Sequence, residues 1–139
     1  MKLSEKTKEI IDKDFDFAIK KMELSKSPED MLYYFTAIHA VINRAFNIEF
    51  SKDLLFANFI LENAYKTVLD RIQHMKTGNQ VVKFHDDFGS QLLSITKELR
   101  KNFYNKTKRI EALNKIVFLA YSTTGNGYFL FQKEDLSIF

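Results

Sequence analysis

Histidine and carboxylate side chains are the residues of this chain best suited to chemistry, and their spacing decides what they could do. Dinuclear metal sites in helical bundles draw glutamates from facing helices together with Glu-x-x-His pairs. The chain has three histidines, His39, His74 and His85, and none has a glutamate three residues before it. His85 stands beside Asp86 and Asp87, but adjacent residues on a helix diverge and do not converge on one ion. The run "DKDFD" puts Asp12, Asp14 and Asp16 at the spacing that opens a calcium loop, without the glycine that such a loop needs at its sixth position. On a helix these three carboxylates are expected to be solvated. No metal and no other cofactor is expected.

Phosphate and nucleophile chemistry fare no better. In "AYSTTGNGYF", residues 120–129, Gly125 and Gly127 follow the apolar helical stretch "IVFLAY", with no Lys-Ser/Thr after them. A phosphate cradle needs the reverse order, a strand and then a glycine loop opening a helix. These glycines read as a helix stop and a turn, where positive φ is required. There is no cysteine to act as nucleophile or thiolate ligand, and no G-x-S-x-G elbow. Catalysis is therefore not the favoured reading. A helical-bundle enzyme or small-ligand binder with a pocket near His39 and Tyr33 ranks third.

The stretch "KELRKNFYNKTKR", residues 97–109, carries Lys97, Arg100, Lys101, Lys106, Lys108 and Arg109 against one acid, Glu98. At 100° per residue, Leu92, Ile95, Leu99 and Phe103 cluster on one side, with Lys97, Arg100, Lys101 and Tyr104 opposite. Such a face could follow a phosphate backbone while Tyr104 stacks on a base. Cations near a helix C-terminus also favourably oppose its dipole, so a merely solvated face is the simpler account. Nucleic-acid binding through Lys97, Arg100, Lys101, Tyr104, Lys106, Lys108 and Arg109 is the second functional reading.

The elements that must position these residues follow from pattern and punctuation. One proline, four glycines and apolar residues every three or four positions predict helices nearly throughout. A first helix is expected from near Ser4 to about Lys26, with Ile11, Phe15, Ala18 and Met22 on one face. Ser27 as N-cap, Pro28 at the first helical position and Asp30 as capping-box partner start the second. A third runs from after Ser51 to about Lys76, with Gly78 behind it. The fourth is expected over Gln80–Tyr104, with Val81, Phe84, Phe88, Leu92, Ile95, Leu99 and Phe103 in register. The fifth starts near Thr107 and ends by Tyr121. The expected fold is all-α, one domain over residues 1–139: a four-helix-bundle-like core plus an extra helix, with a short apolar C-terminal tail.

Residues 31–43 contain no charged side chain, and "LLFANFIL", residues 54–61, is similar. Met31, Phe35, Ile38, Ile42 and Ala45 form one stripe of the second helix. Leu54, Leu61, Val68 and Ile72 form one stripe of the third. Tyr33, Phe56, Phe59 and Ile60 then point away from both stripes. Helices apolar all round are buried all round, which would put these two at the centre of the molecule or under a second subunit. The favoured reading is a non-catalytic, self-associating helical module, a homo-oligomer and in the simplest case a dimer, meeting through Tyr33, Phe56, Phe59 and Ile60.

Composition agrees with that class. Apolar residues at 45% and charged residues at 28% are ordinary globular values, and the net charge is +3. Residues 1–70 carry 10 Lys and Arg against 12 Asp and Glu, and residues 71–139 carry 11 against 6, so the two halves differ in sign. No apolar run is long enough to predict a membrane span, and a charged N-terminus does not resemble a signal peptide. A cytoplasmic protein is expected.

Overall fold

The computed structural model describes residues 2–78 and 87–121, leaving aside the side chains of residues 71, 72 and 74–76. Five helices make up this part of the chain: α1 (Glu5–Leu24), α2 (Pro28–Ile48), α3 (Lys52–Thr77), α4 (Phe88–Lys101) and α5 (Lys106–Tyr121). No strand occurs among the described residues. The fold is all-α.

Local chemistry sets most of the helix starts. The Ser4, Ser27 and Ser51 hydroxyls accept the N–H groups of Thr7, Asp30 and Leu54 at 3.3, 3.1 and 3.3 Å. Asn105 Oδ1 accepts from Lys108 N–H at 3.0 Å and starts α5 at Lys106. Each cap satisfies a donor that the helix cannot satisfy itself.

The helices close into a ring in the order α1, α2, α3, α5, α4 and back to α1, with α2 also touching α4 across the interior. Paired residues give the directions. Asp14 meets Arg44, His39 meets Asn58 and Glu98 meets Lys115, so α1/α2, α2/α3 and α4/α5 are antiparallel. Lys97 meets Glu23 and Arg100 meets Asp16, so α1/α4 is antiparallel as well. A ring of five cannot alternate throughout. The parallel pair is α3/α5, where Asp53 faces Arg109 at one end and Val68 lies near Leu119 at the other.

Ile11, Phe15 and Met22 of α1, Ile38 and Ile42 of α2, and Leu54 and Leu61 of α3 are buried in one core with Leu99 and Phe103. The rings of Phe15 and Phe103 meet at 5.5 Å between centroids. Each such side chain contributes about 1.5–3 kcal/mol on leaving water. Among the described residues no helix is long and apolar enough to cross a membrane.

Three expectations change. The fourth helix does not continue to Tyr104: α4 ends at Lys101, and Asn102–Tyr104 form a turn in which Asn105 N–H bonds to Asn102 O at 2.9 Å. Phe103 is still buried, but from that turn. The second helix is not buried all round either, because a helix in a ring keeps an outward side, here holding Tyr33 and Ala40. The third is no centre: it packs on α2 and α5 and leaves its remaining face open. The expectations for Gln80, Val81, Phe84, Gly125, Gly127 and the apolar tail lie outside the described residues.

Candidate functional site

The basic stretch of residues 97–109 is divided by the turn, and most of its polar groups are taken by α1. Arg100 donates to Asp16 through Nε at 2.9 Å and Nη2 at 3.2 Å, with Asp12 3.4 Å from Nη1. Its pKa is raised, first by the Asp16 hydrogen bond. Tyr104 Oη donates to Asp12 Oδ1 at 2.8 Å and lies 3.2 Å from Lys8 O. Burial raises its pKa, and the bond to Asp12 adds to the rise. Lys97 pairs with Glu23 at 3.5 Å.

Arg109 departs furthest from expectation. It is 2% exposed, donates to Phe103 O at 2.9 Å and lies 3.3 Å from Asp53. Burial lowers its pKa against the opposing charge of Asp53. A guanidinium turned inward cannot reach a phosphate. Of the seven residues in the expected nucleic-acid face, Lys101, Lys106 and Lys108 are exposed without a described carboxylate partner, and they are split between two helices. The structure does not bring the seven onto one cationic face.

The three aspartates are likewise not free carboxylates. Asp12 and Asp16, one turn apart, face α4, while Asp14, about 200° round the helix from Asp12, pairs with Arg44 of α2. The i, i+4 spacing was visible in the sequence, but the partners 30 to 92 residues away were not. An open groove beside them is lined by Glu5, Glu9, Asp12, Lys8, Lys13 and Tyr104, mixed charges already paired in part. Among the described residues no group of three or more His, Asp or Glu could hold a metal.

His39 sits half-buried between α2 and α3, its Nδ1 2.6 Å from Asn58 Oδ1. That bond fixes the register of the two helices. An apolar void of about 10 Å³ lies towards the far end of this pair, lined by Leu32, Phe35, Val68, Leu92 and Ile116 among others, without His39. Its size is at the threshold for a single water. His74 and His85 fall outside the described side chains.

The outer face of α3 has a different character. Phe56 and Phe59 are 50% and 59% exposed, with Leu55 beside them also exposed. At 100° per residue Phe59 and Leu55 lie on the far side from the buried Ala57, Leu61 and Ala64, while Phe56 lies on the flank, 100° from Ala57, and all three stay exposed. Ile60, expected with them, is half-buried and packed against the core. Tyr33, 69% exposed, is on α2 with its ring edge against Tyr34. With His39 opposite Asn58, Tyr33 is level with position 64, about 8 Å along the axis from Phe59 and 12 Å from Phe56. Two of the four expected residues form a compact patch, Tyr33 stands at its margin, and Ile60 belongs to the core. Beyond Phe59, Glu62 pairs with Lys66 at 3.0 Å, a bond that lowers the carboxyl pKa.

Comparison with protein-family models, with curated proteins and with solved structures found no match to this chain.

Proposed function

We propose that the protein is a non-catalytic helical interaction module that associates with a second copy of itself through the outer face of α3. The observation that carries this reading is the exposure of two neighbouring phenylalanines, Phe56 and Phe59, with Leu55 beside them on a well-capped helix. Contiguous apolar patches of this kind mark interaction surfaces on proteins otherwise covered by polar groups. A two-fold contact would bring the patch onto its own copy, with Tyr33 and Lys66 at the rim. Covering each half-exposed ring removes on the order of 100 Å² of apolar surface, about 2.5 kcal/mol per ring. A cysteine-free chain of this composition accords with a cytoplasmic setting.

Sedimentation equilibrium tests it. The full chain is expected to show reversible association above its 16.4 kDa mass at tens of micromolar. The double variant Phe56→Ser, Phe59→Ser is expected to remain a monomer with an unchanged melting temperature. A wild-type chain that stays monomeric at several hundred micromolar overturns the proposal.

A further inference from the structure

We infer that one end of the helical ring docks on an anionic lipid membrane, with exposed lysines against the headgroups and the Ile48 and Phe50 side chains inserted among them. This end is a surface apart from the outer face of α3, and the partner is one beyond self-association.

Chain direction builds the end. Glu49, just behind α2, accepts the Ser4 N–H at 2.9 Å, which brings the last turn of α2 to the first turn of α1. Asp53 lies 3.3 Å from Arg109, which sets the first turns of α3 and α5 side by side. Tyr104 Oη donates to Asp12 at 2.8 Å and lies 3.2 Å from Lys8 O, which lays the α4–α5 turn on the start of α1. All five helices therefore present a terminus here: α1, α3 and α5 their starts, α2 and α4 their ends.

Those termini bring together Lys2, Lys6, Lys52, Lys101, Lys106 and Lys108, all exposed and none with a described carboxylate partner. The carboxylates of the same turns are engaged: Glu5 with Lys8 at 3.6 Å, Glu49 with Ser4 and Asp53 with Arg109. Positive charge is left in excess. Among these lysines stand Ile48, the last residue of α2, and Phe50 in the turn after it, 54% and 68% exposed. The Phe50 ring packs on Phe46 at 5.4 Å between centroids, so it is held at the tip.

The pairing of charge with apolar side chains selects the partner. Each lysine close to an anionic bilayer contributes about fivefold in affinity. Apolar side chains that reach the acyl boundary add a second attachment, and reversible surface binding needs both. A nucleic acid would satisfy the lysines, but Ile48 has no ring on which a base could stack. The arginines of these turns, whose planar forks suit phosphate, are both turned onto carboxylates of the chain itself.

Vesicle binding by the full chain tests the inference. The chain has no tryptophan, so Phe50→Trp places a single fluorescent reporter at the tip. Phe17→Trp is the control, because Phe17 is exposed on α1 at about 20 Å of axial rise from Ser4. Both are titrated with vesicles of phosphatidylcholine alone and of phosphatidylcholine with phosphatidylserine. Salt is set at about 0.1 M and then about 1 M, which shortens the reach of a charge from about 10 Å to about 3 Å. The expected result is co-sedimentation with the phosphatidylserine vesicles at low salt only, with a blue shift at position 50 and none at position 17. Combining Lys101→Gln, Lys106→Gln and Lys108→Gln, with the fold checked by circular dichroism, should weaken that binding about 100-fold. No binding at low salt, equal binding to both vesicles, or an unshifted reporter at position 50 in the bound protein overturns the inference. So does a folded triple variant that binds as tightly as its parent. A single-stranded oligonucleotide that displaces the vesicles overturns it as well and gives the lysines to nucleic acid.

Discussion

Truncating Arg109 removes the donor from the Phe103 carbonyl, the ion pair from Asp53 and most of a large buried side chain at once. Arg109→Ala is therefore expected to destabilise the protein by about 3 kcal/mol, read from the midpoint of urea unfolding. Arg109→Lys should recover less than half of the loss, because an ammonium cannot reproduce the planar fork. A midpoint shift equivalent to less than about 1 kcal/mol for Arg109→Ala would show that the contact is dispensable.

Glu49 gives a pH-dependent counterpart. Its carboxylate accepts the Ser4 N–H at 2.9 Å and the Thr7 hydroxyl at 3.4 Å, joining the end of α2 to the start of α1. The backbone bond from Ser4 is the main cause of its lowered pKa. A lowered pKa means that the folded state holds the proton less tightly, so the contribution is present above the ordinary carboxylate range. It is lost as pH falls through and below that range. Melting curves of wild type and Glu49→Gln should differ at pH 7 and converge towards pH 3. A gap that stays constant with pH would disconnect the charge from stability. Ser27 as a cap was readable because its partner Asp30 is three residues away; Glu49 was not, because Ser4 is 45 residues distant.

At the scale of elements, apolar period and capping residues located α1, α2 and α3 to within a few positions, since both signals are local. The break between α4 and α5 was misplaced because Phe103 keeps the apolar register of α4 although the chain has already turned, and Asn105 was not read as a cap. Lys97–Tyr104 and Lys106–Arg109 were grouped by their nearness in sequence, although a break between two helices was already expected there; nearness along the chain does not set which way two helices face. Gly89, in the first turn of α4, offers a test of element packing. A Cβ added there would meet the Met31 Sδ and Cε at 3.6 Å, an ordinary contact with a flexible side chain. Gly89→Ala is expected to stabilise by about 0.5 kcal/mol, through the reduced freedom of the unfolded chain, with a small rise in melting temperature. A fall instead would mean that α2 and α4 are closer than this contact implies.

For the whole molecule, helix content was legible and arrangement was not. Periodicity says which side of a helix is apolar, but it does not say whether a second apolar side will meet a neighbour. The excess aromatics of α2 and α3 suggested central helices, whereas the ring turns Phe56, Phe59 and Tyr33 outward. The acid-rich first half and base-rich second half have their meaning here too: they become the α1–α4 seam of Asp12, Asp16, Glu23, Lys97 and Arg100.

The single parallel pair in the ring has a kinetic consequence. α1/α2, α2/α3 and α4/α5 are joined by short described turns and assemble at small entropic cost, whereas α3 meets α5 only after a loop of some 50 residues closes. The ring is thus two local units, an α1–α3 meander and an α4–α5 hairpin, and their docking is the non-local event. Asp53–Arg109 lies on that junction. If docking follows the rate-limiting barrier, stopped-flow chevrons of Arg109→Ala should show unfolding accelerated by on the order of 100-fold, with refolding nearly unchanged. A slowed refolding limb would instead place the closing of the α3/α5 seam inside the transition state, making that seam the nucleus and not the latch.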